Sequence, residues 1–326
     1  MRAHSGPTQN KICATNRPAL LVMLRRSFLY LSQQSWLRHW MEHSSVSRKF
    51  TSRFIAGRRL DEAIQVMTTL RRENMDASLD FLGENVTSLE EAAASRDSYL
   101  GTLEAIRASR LPATVSVKLT QLGLDFSPEA CRDNVSQLVE QAAAMKTRVE
   151  IDMESSEYTD RTLDIICALF ERFPGSVRAV IQAYLYRSEA DIRRLNTLGI
   201  PVRLCKGAYR ESAKVAFPLK SEVDRNYVKL MRLLLEEGAD PAIASHDERI
   251  VRDARLYISE RKIPPSRFEF QMLYGIRRDL QKWLISEGFR VRLYVPYGDA
   301  WYPYFMRRLA ERPANVLFIV RNLLRS

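Results

Sequence analysis

The chain has 326 residues, 46% of them apolar and 27% charged, which is enough for one large domain or two ordinary ones with a substantial core. Its net charge of +11 is uneven: residues 1–59 hold eleven Lys or Arg and a single acid, Glu42, so the remainder sums to about +1 and the basicity does not describe a nucleic-acid-binding body. Four cysteines (Cys13, Cys131, Cys167, Cys205) have neither CxxC spacing nor a histidine at ligand spacing, which argues against a disulfide frame or thiolate metal site, and no apolar run reaches the roughly 18–20 residues that span a bilayer.

In chain order, residues 1–21 read as a disordered tail, 22–59 as a basic helical segment, and 60–326 as the main domain. Ala19–Leu24 is apolar, but Arg25-Arg26 cut it short of a signal peptide. Residues 20–43 are amphipathic and basic, and three readings stay open: a helix packed on the main domain, a membrane-surface helix, or an Arg/Ser-rich transit peptide.

From Leu60 onward a strand-then-helix pattern recurs eight times after a preliminary helix, Leu60–Asn74. The predicted strands are Ala77–Glu84, Thr114–Leu119, Arg148–Glu154, Val177–Ala183, Pro201–Gly207, Pro241–His246, Arg267–Leu273 and Phe289–Val295. The helices between them start at Ser88, with Glu91 completing a capping box, at Ser127-Pro128, near Tyr158, and at Arg187, Ser221, Asp247 and Gly275. Alternating βα units imply a parallel sheet, and eight over about 250 residues is the count that closes a (β/α)8 barrel. No GxGxxG follows any strand, which leaves a doubly wound sheet without its main signal.

After the last strand, a turn at Pro296 and Gly298 and an N-cap at Asp299 predict a helix to about Arg312. On it Tyr304, Arg307, Arg308 and Glu311 share a face at i, i+3, i+4 and i+7, while Trp301, Phe305 and Leu309 form an anchoring face. Two adjacent guanidinium groups beside a phenol suit a small anion.

A barrel keeps its active site at the C-terminal strand ends. Here those ends carry Asp80 and Glu84, Lys118, Asp152 and Glu154, Gln182, Arg203 and Lys206, His246, Gln271 and Tyr294, where an inert interior would be Val, Ile and Leu. Convergence of so many polar groups on one mouth marks a site. No Ser-His-Asp pattern and no three-ligand metal cluster is legible, so no metal is assigned. Lys118 and Lys206 leave a Schiff-base lyase or aldolase open as an alternative, and the abundance of positive groups suits a polyanionic cofactor with a carboxylate substrate.

Eight motifs in order, Asp80-Phe-Leu-Gly-Glu-Asn-Val86, Ser116-Val-Lys118-Leu119, Glu150-Ile-Asp152-Met-Glu154, Val180-Ile-Gln182-Ala-Tyr-Leu185, Arg203-Leu-Cys-Lys-Gly-Ala-Tyr209, Ala244-Ser-His-Asp247, Phe268-Glu-Phe-Gln-Met-Leu-Tyr-Gly275 and Tyr294-Val-Pro-Tyr-Gly298 through Tyr304-x-x-Arg307-Arg308, resemble the proline dehydrogenases of the single-function bacterial type over about residues 22–326. Arg53-Phe-Ile-Ala-Gly57 resembles the same family's N-terminal region, which weakens the transit-peptide reading.

The resemblance implies a distorted (β/α)8 barrel that uses FAD to oxidise L-proline to 1-pyrroline-5-carboxylate and passes electrons to a membrane quinone. It implies that Lys118, Arg307 and Arg308 hold the proline carboxylate, that Asp152, Tyr294 and Tyr304 shape the pocket, and that Leu273 packs on the ring. Arg203 would lie beside the flavin N5, making Asp152 and Arg203 the catalytic pair. Met153, Gln182, Lys206, Gly207, Ala208, Tyr209, Ser245 and His246 would contact FAD. Peripheral attachment to the inner face of the cell membrane, a cytoplasmic location, a separate pyrroline-carboxylate dehydrogenase as partner, and no nucleic acid complete the expectation. Cys205, Ser245 and Arg210 depart from the family pattern.

Overall fold

The computed structural model describes residues 51–83 and 86–311, with side chains to Met306, together with Gln34, Trp36 and His39. The tail 1–21, most of the 22–59 segment, Glu84, and the side chains of Arg307, Arg308, Leu309 and Glu311 lie outside the described residues. Two compact units divide the chain. One is Phe50–Trp301; the other includes the described residues from Tyr302 onward.

Helix α1 (Leu60–Arg72) precedes eight strands: β1 (Asp76–Phe81), β2 (Ala113–Val117), β3 (Val149–Ile151), β4 (Val177–Gln182), β5 (Val202–Cys205), β6 (Ala242–Ala244), β7 (Glu269–Leu273) and β8 (Val291–Tyr297). Between them run α2 (Leu89–Ser109), α3 (Pro128–Ala144), α4 (Thr159–Arg172), α5 (Ser188–Thr197), α6 (Lys220–Glu237), α7 (Glu248–Arg261) and α8 (Arg278–Ser286), and α9 (Trp301–Glu311) follows β8. Each strand pairs in parallel with the next, and β8 returns to β1 with Ser78 opposite Tyr294, so the sheet is a closed eight-stranded barrel. This is the predicted fold.

Local signals set several helix starts where expected. The Ser88 hydroxyl accepts from the Glu91 amide (3.3 Å), Ser127 from Ala130 (3.1 Å) with Pro128 at the first helical position, and Asp247 from Arg249 (3.2 Å). The capping box at α2 is incomplete, because the Glu91 carboxylate takes the Thr87 amide (2.6 Å) rather than that of Ser88.

Strand alternation then sorts the side chains. Leu79, Val115, Val117, Val149, Ile151, Ile181, Leu204, Ile243, Phe270, Leu293 and Val295 join the buried core with helical residues such as Leu103, Val135, Ile166, Leu234 and Leu284. Full burial of each such aliphatic is worth roughly 1.5–3 kcal/mol, so this layer is the main stabilising term.

The barrel interior departs from the aliphatic filling expected. The alternate positions carry Glu150, Arg178, Glu269 and Arg292, all strongly buried. Arg178 Nη1 bridges Glu150 (3.2 Å) and Glu269 (2.5 Å), its Nη2 reaches Asp240 (2.9 Å), and Arg292 Nε meets Glu269 (3.0 Å). Thr114 and Gln271 complete the network. Charges removed from water in this way persist only because each meets an opposite charge and further donors or acceptors.

Two expectations near the last strand are corrected. β8 does not end at Val295: it runs through Pro296, opposite Asp80, to Tyr297. The extension is paired because the Pro296 carbonyl accepts from Ala56 (2.9 Å) and the Tyr297 carbonyl from Leu82 (2.7 Å). Asp299 is not the N-cap of α9, which starts at Trp301; its carboxylate pairs with Arg58 Nε at 2.9 Å. Gly275 lets the Arg53 carbonyl approach closely, since it has φ +76° and a Cβ there would strike that oxygen.

Candidate active site

At the mouth, β1, β2, β3, β5 and β8 bring five polar side chains together. Asp80 is the last inward residue of β1, Lys118 and Asp152 sit one residue past β2 and β3, Arg203 is on β5, and Tyr294 is on β8. Lys118 Nζ donates to Asp80 Oδ1 (3.2 Å), Asp152 Oδ2 (3.2 Å) and the Tyr294 oxygen (3.3 Å). The Tyr294 hydroxyl in turn donates to Asp152 Oδ2 at 2.9 Å. On the other carboxylate oxygen, Asp152 Oδ1 accepts from Arg203 Nη2 and from the Ser116 hydroxyl (3.3 Å).

Four donors therefore converge on one carboxylate. Burial alone would raise the Asp152 pKa, but the charges of Arg203 and Lys118 outweigh it and hold Asp152 below the ordinary carboxylate range. Asp80 goes the other way. Burial pushes it up, the Lys118 charge only partly opposes this, and the nearby negative Asp152 adds to the rise. Burial would lower Lys118, yet the two aspartates more than offset that and raise it. An ammonium held in this way is a permanent cation, not the deprotonated amine that Schiff-base formation needs. Lys206 is also engaged, with Asp224 (2.5 Å) and Asp247 (2.9 Å), so the lyase alternative finds no free lysine in either candidate.

Arg203 is 5% exposed, the most enclosed of Lys118, Arg203 and Lys206. Its Nη1 meets Glu150 (3.2 Å) and Gln271 Oε1 (3.3 Å), its Nη2 takes Ser116 (3.0 Å), and its carbon lies 5.5 Å from the Tyr294 ring centre. Lys118, with 30% of its side chain exposed, is the member that opens to solvent.

A second group lines the β4–β6 side. Gln182 donates to the Glu154 carbonyl (2.7 Å) and accepts from the Ala208 amide (3.4 Å), tying the ends of β3, β4 and β5 together. Gly207 has φ +115° and no room for a Cβ against the Tyr184 ring. Ser245 Oγ accepts from the Asp247 amide (3.1 Å), and His246 Nε2 accepts from the Leu273 amide (2.8 Å), which places any proton of a neutral ring on Nδ1. Met153 is buried, while Tyr209 is 41% exposed.

Of the expected site residues, Lys118, Asp152, Arg203 and Tyr294 form one bonded cluster, whereas Lys206 belongs to a separate ion group. Tyr304 is buried on α9. Sequence reading assigned no role to Asp80 beyond its place at a strand end, none to Ser116, and overlooked Arg178 and Arg292. Charged residues at every second position of short strands, Glu150-x-Asp152 above all, were the signal available.

A closed parallel barrel whose mouth fixes a lysine, an arginine and a tyrosine on one carboxylate has the form of a (β/α)8-barrel enzyme. The family model described as proline dehydrogenase matches residues 63–321. Proline dehydrogenase 1 of Bacillus subtilis strain 168 is 41% identical over 304 residues, 93% of this chain and 100% of that protein. The proline dehydrogenase of Deinococcus radiodurans is 39% identical over 84% of this chain and 90% of its own length. The crystal structure of proline utilization A from Bdellovibrio bacteriovorus, inactivated by N-propargylglycine, superposes with a TM-score of 0.79 at 26% identity, covering 89% of this chain and 37% of that one. The chain belongs to the proline dehydrogenase family.

Proposed function

We propose that the chain oxidises L-proline to 1-pyrroline-5-carboxylate, with FAD as hydride acceptor and a membrane quinone as the onward electron acceptor. The observation that carries this reading is the Lys118–Asp152–Arg203–Tyr294 cluster: one open cation for a carboxylate and one enclosed cation for a developing negative charge.

In this reading Lys118 binds the proline carboxylate, and Asp80 and Asp152 hold its ammonium in position. Arg307 and Arg308 supply two further charge-assisted bonds, on the strength of their spacing and motif, and Tyr304 and Leu273 bound the ring. The bond to be broken is the C–H on the ring carbon that becomes doubly bonded to nitrogen. Once the ring nitrogen has given its proton to solvent water, its lone pair can form the C=N bond as that hydride passes to the acceptor that FAD would supply. FAD, when bound, supplies the redox chemistry. The enclosed, permanently charged Arg203 suits the negative charge of a reduced flavin, and Asp152 keeps the guanidinium oriented.

The residues present fit such a cofactor. Gly207 lets the backbone turn where a Cβ has no room, Gln182 pins Ala208 beside it, and Met153, Tyr209, Ser245 and His246 line the adjoining strand ends. Lys206, held in place by Asp224 and Asp247, belongs to the same run of the motif.

Peripheral attachment to the cytoplasmic face of the cell membrane rests on the basic, amphipathic character of residues 20–43. No helix among the described residues is long and apolar enough to cross a membrane. A separate pyrroline-carboxylate dehydrogenase would consume the product.

The deciding experiment is the absorption spectrum of the purified protein, expected to be that of an oxidised flavin bleached by anaerobic proline. A colourless protein that takes up no FAD sinks the proposal. Flotation with liposomes, with and without residues 1–50, tests the membrane part, and lipid-independent recovery would remove it.

A further inference from the structure

The ion network on the barrel floor is not separate from the mouth. Glu150 on β3 and Asp152 one residue past its end are two positions apart, so alternation turns both into the barrel, one above the other. Arg203, reaching across from β5, meets both. Its Nη2 edge takes Asp152 and Ser116 above, and its Nη1 edge takes Glu150 (3.2 Å) and Gln271 (3.3 Å) below. The guanidinium is thereby gripped along two edges by acceptors from β2, β3 and β7.

Glu150 is itself immobilised. It is fully buried and accepts from Thr114 (3.0 Å), Arg178 (3.2 Å) and Gln271 Nε2 (3.0 Å to Oε2). Gln271 closes a triangle: its oxygen receives Arg203 and its nitrogen donates to Glu150 and to Glu269 (2.8 Å). An amide so used has one orientation. Lys118 has no bond to any member of this triangle; its acceptors are Asp80, Asp152 and Tyr294.

We infer that Glu150 is the positioning residue for Arg203, with Gln271 as its lock, so that the barrel floor sets the placement of the cation used in oxidation without taking part in substrate binding. The inference deepens the function proposed above and rests on it for the role of Arg203. Asp152 alone, at one edge, leaves the guanidinium free to pivot about a single carboxylate; the second edge, on Glu150, removes that freedom.

The test compares Glu150→Gln and Gln271→Leu with the wild-type protein in its flavin-loaded form. Glu150→Gln should lower kcat roughly tenfold or more with proline KM within about twofold, because a misplacement on the order of 1 Å at a reacting centre can cost about a hundredfold while the Lys118 contacts are untouched. Gln271→Leu removes the lock without changing charge, should lower kcat less at the same KM, and keeps the question decidable if Glu150→Gln does not fold. Crystal structures of the variants supply a readout independent of the cofactor: Arg203 should be displaced from Ser116. Wild-type kcat in both variants, proportional changes in kcat and KM, or an unmoved Arg203 with only a lower Tm would overturn the inference. A wild-type protein without flavin would sink the proposed function, and the position of Arg203 in the variants would still decide this one.

Discussion

The Tyr294 hydroxyl donates to Asp152 Oδ2 at 2.9 Å, joining the last strand of the barrel to the third. The same hydroxyl oxygen accepts from Lys118, so the phenol links the open cation of the mouth to the carboxylate that also holds Arg203. Tyr294→Phe deletes both bonds and keeps the ring that faces Arg203. The expected loss is roughly 1 kcal/mol per hydrogen bond, about 2 kcal/mol for the pair, which corresponds to a fall in kcat/KM of about thirtyfold. Steady-state kinetics with proline check it, and wild-type values would show the hydroxyl to be idle.

Lys118→Met removes the charge that Asp80 and Asp152 share. Proline KM should rise strongly, since a hydrogen bond to a charged partner is worth roughly 1.5–3 kcal/mol. Arg307→Ala and Arg308→Ala should raise KM by a similar factor. An unchanged KM in any of the three takes that residue out of substrate binding. Borohydride should trap no adduct on the wild-type Lys118.

Acid should unfold the protein steeply. Burial pushes the carboxyls of Glu150, Glu269 and Asp240 up, but Arg178 with Arg203, Arg292 and Arg148 outweighs it and holds all three below their ordinary values, as Arg203 and Lys118 do for Asp152. Each binds fewer protons folded than unfolded, so its stabilisation is complete above the unfolded values near pH 4 and is lost as pH falls through the depressed ones. Asp80 and Glu154, raised by burial, have the opposite sign, favouring the fold at low pH and losing that contribution as pH rises through their folded values. Four depressed groups against two raised ones predict a net loss of stability below about pH 4. Urea midpoints that stay flat from about pH 5 to 3 would contradict it.

Arg178→Met leaves Glu150 and Glu269 in the barrel floor without their shared cation. Breaking a buried ion pair from one side costs roughly 3–5 kcal/mol. Arg252→Ala, which breaks the exposed i,i+4 pair with Glu248, should cost under about 1 kcal/mol. Urea unfolding of the two variants measures the contrast, and equal midpoints would mean that the floor network is not a stabilising element.

Where a structural choice is made within a few residues, it was legible. Ser88, Ser127-Pro128 and Asp247 cap their helices because a hydroxyl or carboxylate two or three residues from an unpaired amide needs nothing else from the chain. Helix and strand periodicity in eight successive units was enough for the barrel, and the polar strand ends were enough to locate its mouth. Lys118, Asp152, Arg203 and Tyr294 were nameable in advance, but their shared bonds were not.

What tertiary structure alone decided is every contact whose partner lies far along the chain. Pro296 reads as a turn until Ala56 and Leu82 supply hydrogen bonds that keep the strand extended, and Asp299 reads as a cap until Arg58 takes its carboxylate. Arg178 and Arg292 carry no signal of their own in short strands; closure of the sheet turns both inward onto Glu150 and Glu269. The physical reason is that a strand specifies which residues share a face, whereas only barrel closure specifies whether that face meets water, a helix or seven other strands.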